Sequence, residues 1–295
     1  MGTCFCKSMS NGYSILTWNT LCTEISIKEN FPKTEEKFLN WEYRKNLIKD
    51  ILITEKPDII TLQEIDNYEE FKTDILEELK IKYKGNFYIK PDGKMGIFLG
   101  VNPEKFMILN IYKEILPGGD DEENKFSNQI FIVSEIKDLK TEQIFFLIST
   151  HLKSKIHNEN IRLIQTQGII SYINEKGLFK KNIIVTGDFN AEPNYQSIVN
   201  FQKYGMKSAF QFNTGDYTMF MFRDNIKKRY IDYIFYKGNL VFGDQQKAIV
   251  DIDEKCGLPN YEFPSDHFFL KTKFKFILFF FIFIFIFEYN LMIMF

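Results

Sequence analysis

The sequence Thr-Gly-Asp-Phe-Asn-Ala-Glu-Pro at residues 186–193 directly follows the apolar run Asn182-Ile183-Ile184-Val185. This pattern predicts a buried strand that ends in a turn, where Asp188 and Asn190 are presented together. A carboxylate and a carboxamide two residues apart can hold and orient a water molecule, or a hydrated Mg²⁺ ion, beside a phosphate group. The segment therefore indicates chemistry at a phosphate.

Polar residues follow apolar runs at four other places in the chain. They are Trp18-Asn19, Gln63-Glu64, His151-Leu152-Lys153 and Ser265-Asp266-His267, and Asp232 lies inside a further apolar run at 230–234. A buried carboxylate costs free energy unless it is paired or bound to a metal. Two of the chain's three histidines lie in these clusters. A single cluster could be a helix cap, but their joint occurrence indicates a catalytic site.

The carboxylates and amides of these clusters suit a magnesium site. Mg²⁺ prefers oxygen ligands, uses few protein carboxylates and keeps several of its waters. We expect Glu64 to be the principal ligand, with Asn19 beside it, and Mn²⁺ is the alternative ion. Three histidines without a cysteine cluster argue against zinc.

The other clustered residues suit the hydrolysis of a phosphoester. Asp188 could deprotonate or orient the attacking water, and Asn190 could hold the phosphate or that water. Either His267 or His151, as an imidazolium, could stabilise charge that develops on the phosphoryl oxygens. A carboxylate partner would raise the pKa of such a histidine and orient its ring, and Asp232 is the natural candidate.

Short apolar runs alternate with amphipathic stretches from Tyr13 to Phe276, and several runs are apolar at consecutive positions, as in strands covered on both faces. The predicted strands are Tyr13–Trp18, Asp58–Leu62, Asn86–Ile89, Gly96–Val101, Phe106–Glu114, Gln129–Ile136, Gln143–Thr150, Asn182–Thr186, Tyr217–Phe222, Tyr230–Tyr236 and His267–Phe274. The predicted helices are Trp41–Thr54, Tyr68–Lys80, Glu159–Asn174 and Tyr195–Tyr204. Many strands and few helices favour two stacked sheets with helices outside, in one domain.

Composition and charge narrow the class of protein. Of the 295 residues, 45% are hydrophobic and 26% charged, which is typical of a globular protein. A net charge of -2 predicts no global attraction to nucleic acid, so polyanion binding would need a local basic groove. The four cysteines form no disulfide framework, which favours a reducing, cytoplasmic compartment. The first ten residues are too polar for a secretory signal peptide.

Taken in order, the motifs resemble the endonuclease/exonuclease/phosphatase superfamily, and most closely its nocturnin and deadenylase branch. They are Trp-Asn-Thr-Leu (18–21), Leu-Gln-Glu-Ile-Asp (62–66), Pro-Asp-Gly (91–93), Thr-His-Leu-Lys (150–153), Gly-Asp-Phe-Asn-Ala-Glu-Pro (187–193), Ile-Asp-Tyr-Ile (231–234) and Pro-Ser-Asp-His (264–267). The resemblance covers residues 13–276, so we expect a catalytic domain over 11–275. It implies an α/β fold of the deoxyribonuclease I type, a four-layer α/β sandwich, and Mg²⁺-dependent hydrolysis of a phosphoester.

The resemblance also implies a role for each clustered residue. Glu64 would bind the metal, with Asn19 and Asp266 beside it. Asp188 and Asn190 would act on the nucleophilic water. His151 and His267 would contact the phosphate, with Asp232 supporting them.

The motifs leave the substrate open within this superfamily. The segments 91–93 and 190–193 fit poly(A)-shortening 3′-exoribonucleases and NADP(H) 2′-phosphatases better than other members. Lys153 and Lys155 resemble a basic stretch of nocturnin-like proteins and could grip an additional phosphate, or they could simply be solvated. Tyr217, Phe220 and Phe222 precede the Asp232 strand, and Tyr217 or Phe220 could stack on a purine, but core packing is the expected role of at least two of the three. The basic run 227–229 either follows a phosphate backbone or forms a solvated turn.

The two ends of the chain point toward a membrane. Gly2, Cys4 and Cys6 resemble a dual-acylation signal, and a disordered leader over 1–10 is the alternative. Residues 276–295 are nearly all apolar, but the uninterrupted run Phe276–Phe287 is too short to span a bilayer. This tail is either a membrane anchor or spurious translated sequence. A membrane-tethered inositol-phosphate or lipid phosphodiesterase is therefore a second alternative function.

Overall fold

Two six-stranded β-sheets lie face to face, with the helices on their outer surfaces. The computed structural model describes residues 11–118, 126–248, 250, 252 and 257–277. The acylation signal at 1–10 and nearly all of the apolar tail lie outside the described residues. Within the described ranges, no helix is long and apolar enough to cross a membrane.

The first sheet has the strand order β13-β14-β1-β2-β4-β3. Its strands are β1 (Tyr13–Asn19), β2 (Ile59–Ile65), β3 (Lys84–Ile89), β4 (Gly96–Val101), β13 (Leu240–Lys247) and β14 (Leu270–Phe276). Strands β1 and β2 are parallel, and Asn19 lies opposite Gln63. Because parallel strands end at the same edge of a sheet, Asn19 and Glu64 arrive at one edge together.

The second sheet has the order β5-β6-β7-β8-β12-β9. Its strands are β5 (Phe106–Pro117), β6 (Phe126–Asp138), β7 (Ile144–His151), β8 (Asn182–Asp188), β9 (Lys207–Ser208) and β12 (Asp232–Lys237). Strands β7 and β8 are parallel, with His151 opposite Asp188, and β12 runs antiparallel to β8 with Asp232 opposite Asp188. The register therefore places three polar residues side by side at one end of this sheet.

A short hairpin and five α-helices complete the described structure. Strands β10 (Met219–Phe222) and β11 (Ile226–Arg229) form the hairpin. The helices are α1 (Glu36–Leu39), α2 (Trp41–Glu55), α3 (Tyr68–Phe71), α4 (Glu159–Glu175) and α5 (Gln196–Lys203). Single 3₁₀ turns cover Ile156–Asn158 and Leu178–Lys180.

The core has three layers because the apolar strands are covered on both faces. Residues such as Ile15, Leu147 and Ile184 fill the space between the sheets. Helix α2 covers the first sheet through Ile48 and Leu52, and α4 and α5 cover the second. The sequence-based fold, two stacked mixed sheets flanked by helices, is confirmed.

Two predicted elements differ from the structure. The helix expected over 68–80 is α-helical only to Phe71 and continues as a π-helical turn over Lys72–Leu76, which buries Ile75 and Leu76. The basic run 227–229 lies in strand β11, paired with β10, so it does not form a turn, but Lys227 and Lys228 are exposed, as the solvated alternative predicted.

Candidate active site

Asn19 connects the ends of the two sheets. Its Nδ2 donates to Glu64 Oε1 at 3.0 Å and to Asp188 Oδ2 at 3.1 Å, and its Oδ1 accepts a hydrogen bond from the Leu21 amide. Glu64 has a φ of 62° at a break in the β2–β4 register. A positive φ is uncommon outside glycine. The break therefore turns the Glu64 carboxylate out of the regular pleat.

Asp188 and Asn190 form a tight local arrangement, as the sequence pattern predicted. The Asn190 amide donates to Asp188 Oδ1 at 2.8 Å, and its side-chain Nδ2 donates to Leu152 O at 3.1 Å and to Asp188 Oδ2 at 3.3 Å. Gly187 precedes them with a φ of 138°, and a Cβ atom there would lie 1.9 Å from Thr150 O. Glycine is thus required for β8 to deliver Asp188 beside β7.

His267 forms an ion pair with Asp232. The distance from His267 Nδ1 to Asp232 Oδ2 is 2.9 Å, and His267 Nε2 lies 3.8 Å from Asp188 Oδ2. Burial alone would lower the pKa of His267, but Asp232 and then Asp188 hold this pKa well above its usual value. His267 is therefore a cation at neutral pH.

His151 lies on the other side of Asp188 and has the opposite charge state. Its Nε2 is 3.6 Å from Asp188 Oδ2 and 3.8 Å from Glu64 Oε1. Burial, followed by the charges of Lys90 and His267, holds the pKa of His151 well below its usual value. His151 is therefore neutral, and of these two histidines His267 is the one that can act as an imidazolium at neutral pH.

Lys90 belongs to this site and was missed by the sequence analysis. Its Nζ lies 3.3 Å from His151 Nδ1, and the residue is only 5% exposed. Burial lowers the pKa of Lys90, while Glu64 and Asp188 act in the opposite direction. The signal was present in the sequence, since Lys90 directly follows an apolar strand and precedes Pro-Asp-Gly.

Arg44 is a second residue that the sequence analysis missed. This fully buried side chain of α2 donates from Nη1 to Thr20 O and to Pro264 O, both at 3.0 Å. It thereby joins the segment after Asn19 to the segment before Asp266. Nothing in the helical pattern distinguished Arg44 from a solvated arginine.

The loop that carries Asp266 and His267 is anchored to β1. Ser265 Oγ donates to Asn19 O at 2.7 Å, the His267 amide donates to Ser265 Oγ at 3.0 Å, and Trp18 Nε1 donates to His267 O at 2.7 Å. Asp266 is buried beside these residues. The structure therefore brings together every predicted metal, water and phosphate residue at one edge of the sandwich.

The donor set fits a divalent cation. Burial raises the pKa of Asp188 to about 7 and that of Asp266 to about 6, because charged carboxylates are unfavourable in this buried site without a compensating cation. Among the described residues, one ligand atom each from Asp188, Asp232 and His267 lies within 4.8 Å of the others. Because His267 is cationic, the carboxylates of Asp188 and Asp232 are the donors of this group, which differs from the expected set of Glu64, Asn19 and Asp266. Buried carboxylate oxygens are the donors that hard divalent ions prefer. A dication would balance this charge.

The predicted substrate residues have different positions. Lys155 is exposed and Lys153 half-buried on the loop that follows His151. The half-buried Tyr217 has Lys247 Nζ 4.5 Å from its ring centroid. Phe220 is 0% exposed and packs in the core, so its assignment to base stacking is corrected to core packing.

Comparison with known proteins agrees with this geometry. The model of the Endonuclease/Exonuclease/phosphatase family matches residues 16–267. The chain belongs to this family. The sequence-based assignment to the superfamily, and with it to the phosphoester hydrolases, is confirmed. The match lies within the expected catalytic domain at 11–275.

Relatives and solved structures place the chain near one branch of the family. It is 28% identical to human nocturnin in an alignment of 295 positions that covers 91% of this chain and 66% of nocturnin, so it spans about two thirds of that relative. It is 25% identical to the CCR4-Not 3′-5′-exoribonuclease subunit Ccr4 of Emericella nidulans, covering 88% of this chain and 51% of that protein. The human nocturnin catalytic domain with bound sulfate superimposes with a TM-score of 0.71 at 26% identity, covering 90% and 94% of the two chains. ANGEL2, a 2′,3′-cyclic phosphatase, shares the fold, with a TM-score of 0.77 at 17% identity, covering 90% and 96%.

Proposed function

We propose that this protein is a Mg²⁺-dependent 3′-exoribonuclease that acts on poly(A) or related adenine-containing RNA ends. The observation that carries the proposal is the position of Asp188 between a cationic His267 and a neutral His151, beside Glu64. The similarity to nocturnin and to Ccr4 exoribonuclease subunits supports an RNA substrate.

Glu64, with Asn19 and Asp266 near it, would hold Mg²⁺. When bound, the ion supplies positive charge to the phosphoryl oxygens. Asp188 is the candidate base for the attacking water because its raised pKa of about 7 suits proton transfer near neutral pH. Asn190 and Asn19 fix the Asp188 carboxylate by donating hydrogen bonds to it.

The two histidines would act on the phosphate from different protonation states. His267, held cationic by Asp232, places a positive charge near the phosphoryl oxygens. His151 accepts a hydrogen bond at Nδ1 from the Lys90 ammonium, so its Nε2 carries the proton. That N–H can donate to a phosphoryl oxygen or to the leaving group.

A 2′-phosphatase activity on NADP(H) is the second candidate. Lys153 and Lys155 favour it, because two lysines beyond His151 could bind a second phosphate of a dinucleotide. Among the described residues, nothing favours a lipid or inositol-phosphate substrate over these two.

One paired assay separates the two candidates. The full chain would be incubated with Mg²⁺ and either a 5′-labelled oligo(A) or NADP⁺, with Glu64→Ala as the blank. We expect stepwise shortening of oligo(A). Phosphate release from NADP⁺ without shortening would replace the exoribonuclease with the phosphatase, and no reaction with either substrate would refute both.

A further inference from the structure

A cavity of about 630 Å³ lies beside the candidate active site, between the loop after Asn190 and the loop before β10. Its walls include Glu192 and Tyr230. Glu192 is two residues from Asn190 and Tyr230 is two residues from Asp232, and two residues span at most about 7 Å. Two residues of the cavity wall therefore lie within two positions of Asn190 and Asp232, which are not themselves in the lining.

Arg229 fixes the cavity wall to the catalytic loop. Its Nε donates to Glu192 Oε1 at 3.0 Å, and its Nη2 donates to Asn190 O at 3.1 Å. The Arg229 side chain is only 14% exposed, so these contacts are shielded from solvent. A ligand in the cavity would consequently be held in a defined position relative to Asn190.

The cavity offers an aromatic surface. The Phe212 ring lies 5.2 Å from the Tyr230 ring at an angle of 45°, and Phe212 is 37% exposed while Tyr230 is nearly buried. The buried Tyr230 thus packs against a Phe212 side chain that is partly exposed. Exposed aromatic rings beside a phosphate-cleaving site are suited to stacking on nucleobases.

The charges of the lining favour an uncharged ligand over a second phosphate. Glu192 is paired with Arg229, and the lining also contains one acid, Asp216, and one base, Lys228. Asp216 Oδ2 accepts a hydrogen bond from the Asn213 amide at 2.7 Å, which fixes this loop. Since no positive excess is present in the lining, the cavity is better suited to a planar ligand with hydrogen-bonding edges.

We propose that this cavity binds a nucleobase of an oligonucleotide substrate, next to the nucleotide whose phosphate is cleaved. The proposal rests on the proposed function at the adjacent site. A smaller cavity of about 210 Å³ shares Asp216 and Tyr230 and extends to Tyr217. The two cavities therefore share part of their lining.

Equilibrium binding tests the cavity without requiring turnover. Fluorescently labelled triadenylate would be titrated into the full chain carrying Asp188→Asn, with and without Phe212→Ala. Loss of one stacking contact predicts roughly 5- to 150-fold weaker binding. Phe179→Ala is the matched control, because Phe179 is 42% exposed and packs against Tyr204 and Lys237, outside the cavity. Binding of the Phe212→Ala protein within twofold of its parent, or no binding by the parent, would overturn the proposal.

A comparison of two substrates separates this proposal from the function of the catalytic site. Bis(p-nitrophenyl) phosphate has no nucleobase, so Phe212→Ala should lower kcat/KM on triadenylate at least fivefold more than on this diester. Equal losses on both substrates would show that Phe212 supports the catalytic site instead of a base. If the wild-type chain cleaves neither substrate, the proposed function fails, while the binding titration still decides the cavity.

Discussion

The ammonium group of Lys90 lies 3.3 Å from Nδ1 of His151, although Lys90 is almost completely buried. As an ammonium group Lys90 has only hydrogen-bond donors to offer, so it bonds to His151 in the tautomer whose Nδ1 is the acceptor. The proton of this imidazole is then on Nε2, the nitrogen that faces Asp188 and Glu64.

Replacing Lys90 by Met should therefore reduce the activity without unfolding the protein. We expect kcat on oligo(A) to fall by roughly 10²-fold, because His151 would no longer be held with its proton on Nε2, from where it can be donated. Nitrogen NMR of labelled histidine should show that the Nε2–H tautomer is no longer dominant. Lys94→Met is the control, because Lys94 is exposed and pairs with Glu24 at 2.5 Å. Wild-type activity and an unchanged tautomer in Lys90→Met would contradict this interpretation.

The ion pair of His267 and Asp232 predicts a change in pH dependence. In the wild type, Asp232 keeps the pKa of His267 well above its usual value, so His267 stays protonated through neutral pH. In Asp232→Asn the largest of the contributions that raise this pKa is lost, so the pKa of His267 falls although Asp188 still acts against burial. The variant should therefore lose activity as pH rises from 6 to 8, by about 10²-fold or more relative to wild type at pH 8. Parallel pH profiles for the two proteins would disprove the proposed electrostatic role.

Asp188 predicts a pH effect on the stability of the metal-free protein. Burial raises its pKa from 3.8 to about 7 in the folded state. A group with a raised folded pKa contributes stability below its unfolded pKa and loses it as pH rises through the folded pKa. The unfolding free energy of Asp188→Asn minus that of wild type should therefore increase between about pH 4 and 7 and then level off.

Urea unfolding in EDTA at several pH values measures this difference. The variant is compared with the wild type because His151 also makes the unfolding free energy depend on pH, in the opposite direction. The lowered pKa of His151 makes the folded protein less stable below its unfolded pKa of 6.5. A difference between the variant and the wild type that does not change with pH would contradict the raised pKa of Asp188.

Arg44 should position the metal residues through the two carbonyl groups that it binds. Arg44→Met leaves Thr20 O and Pro264 O without this donor, which should cost about 1–3 kcal/mol for each buried acceptor. Because those segments carry Asn19 and Asp266, we also expect weaker Mg²⁺ binding by isothermal titration. Arg44→Lys should restore part of both losses. A variant that is less stable but binds Mg²⁺ normally would limit Arg44 to a structural role.

The sequence predicted the two stacked sheets and the clustered site residues because both follow from patterns of consecutive residues. The apolar run before Asp188 and the turn after it were visible in consecutive residues, and parallel strand pairing then brought Asn19 and Glu64 to the same edge. Strands β11 and β13 were not predicted, because Ile226–Arg229 and Leu240–Lys247 are rich in charged and polar residues and gain their order from pairing with neighbours.

The missed site residues depend on contacts between distant segments. Arg44 reaches Pro264 across 220 positions, and Lys90 reaches His151 across 61. Neither partner can be inferred from spacing along the chain. Phe220 shows the reverse error, since an aromatic residue near a catalytic strand suggested base stacking, while the structure buries it completely.

The rate of oligo(A) shortening by Asp188→Asn tests the central claim most directly. The full-length variant and wild type would be compared with Mg²⁺ on the same 5′-labelled substrate, after their folding is verified by circular dichroism. We predict a loss of about 10³-fold or more in the folded variant, because the group that orients the water and accepts its proton is gone. A folded Asp188→Asn protein that shortens oligo(A) at the wild-type rate would contradict the assignment of this site as the catalytic centre.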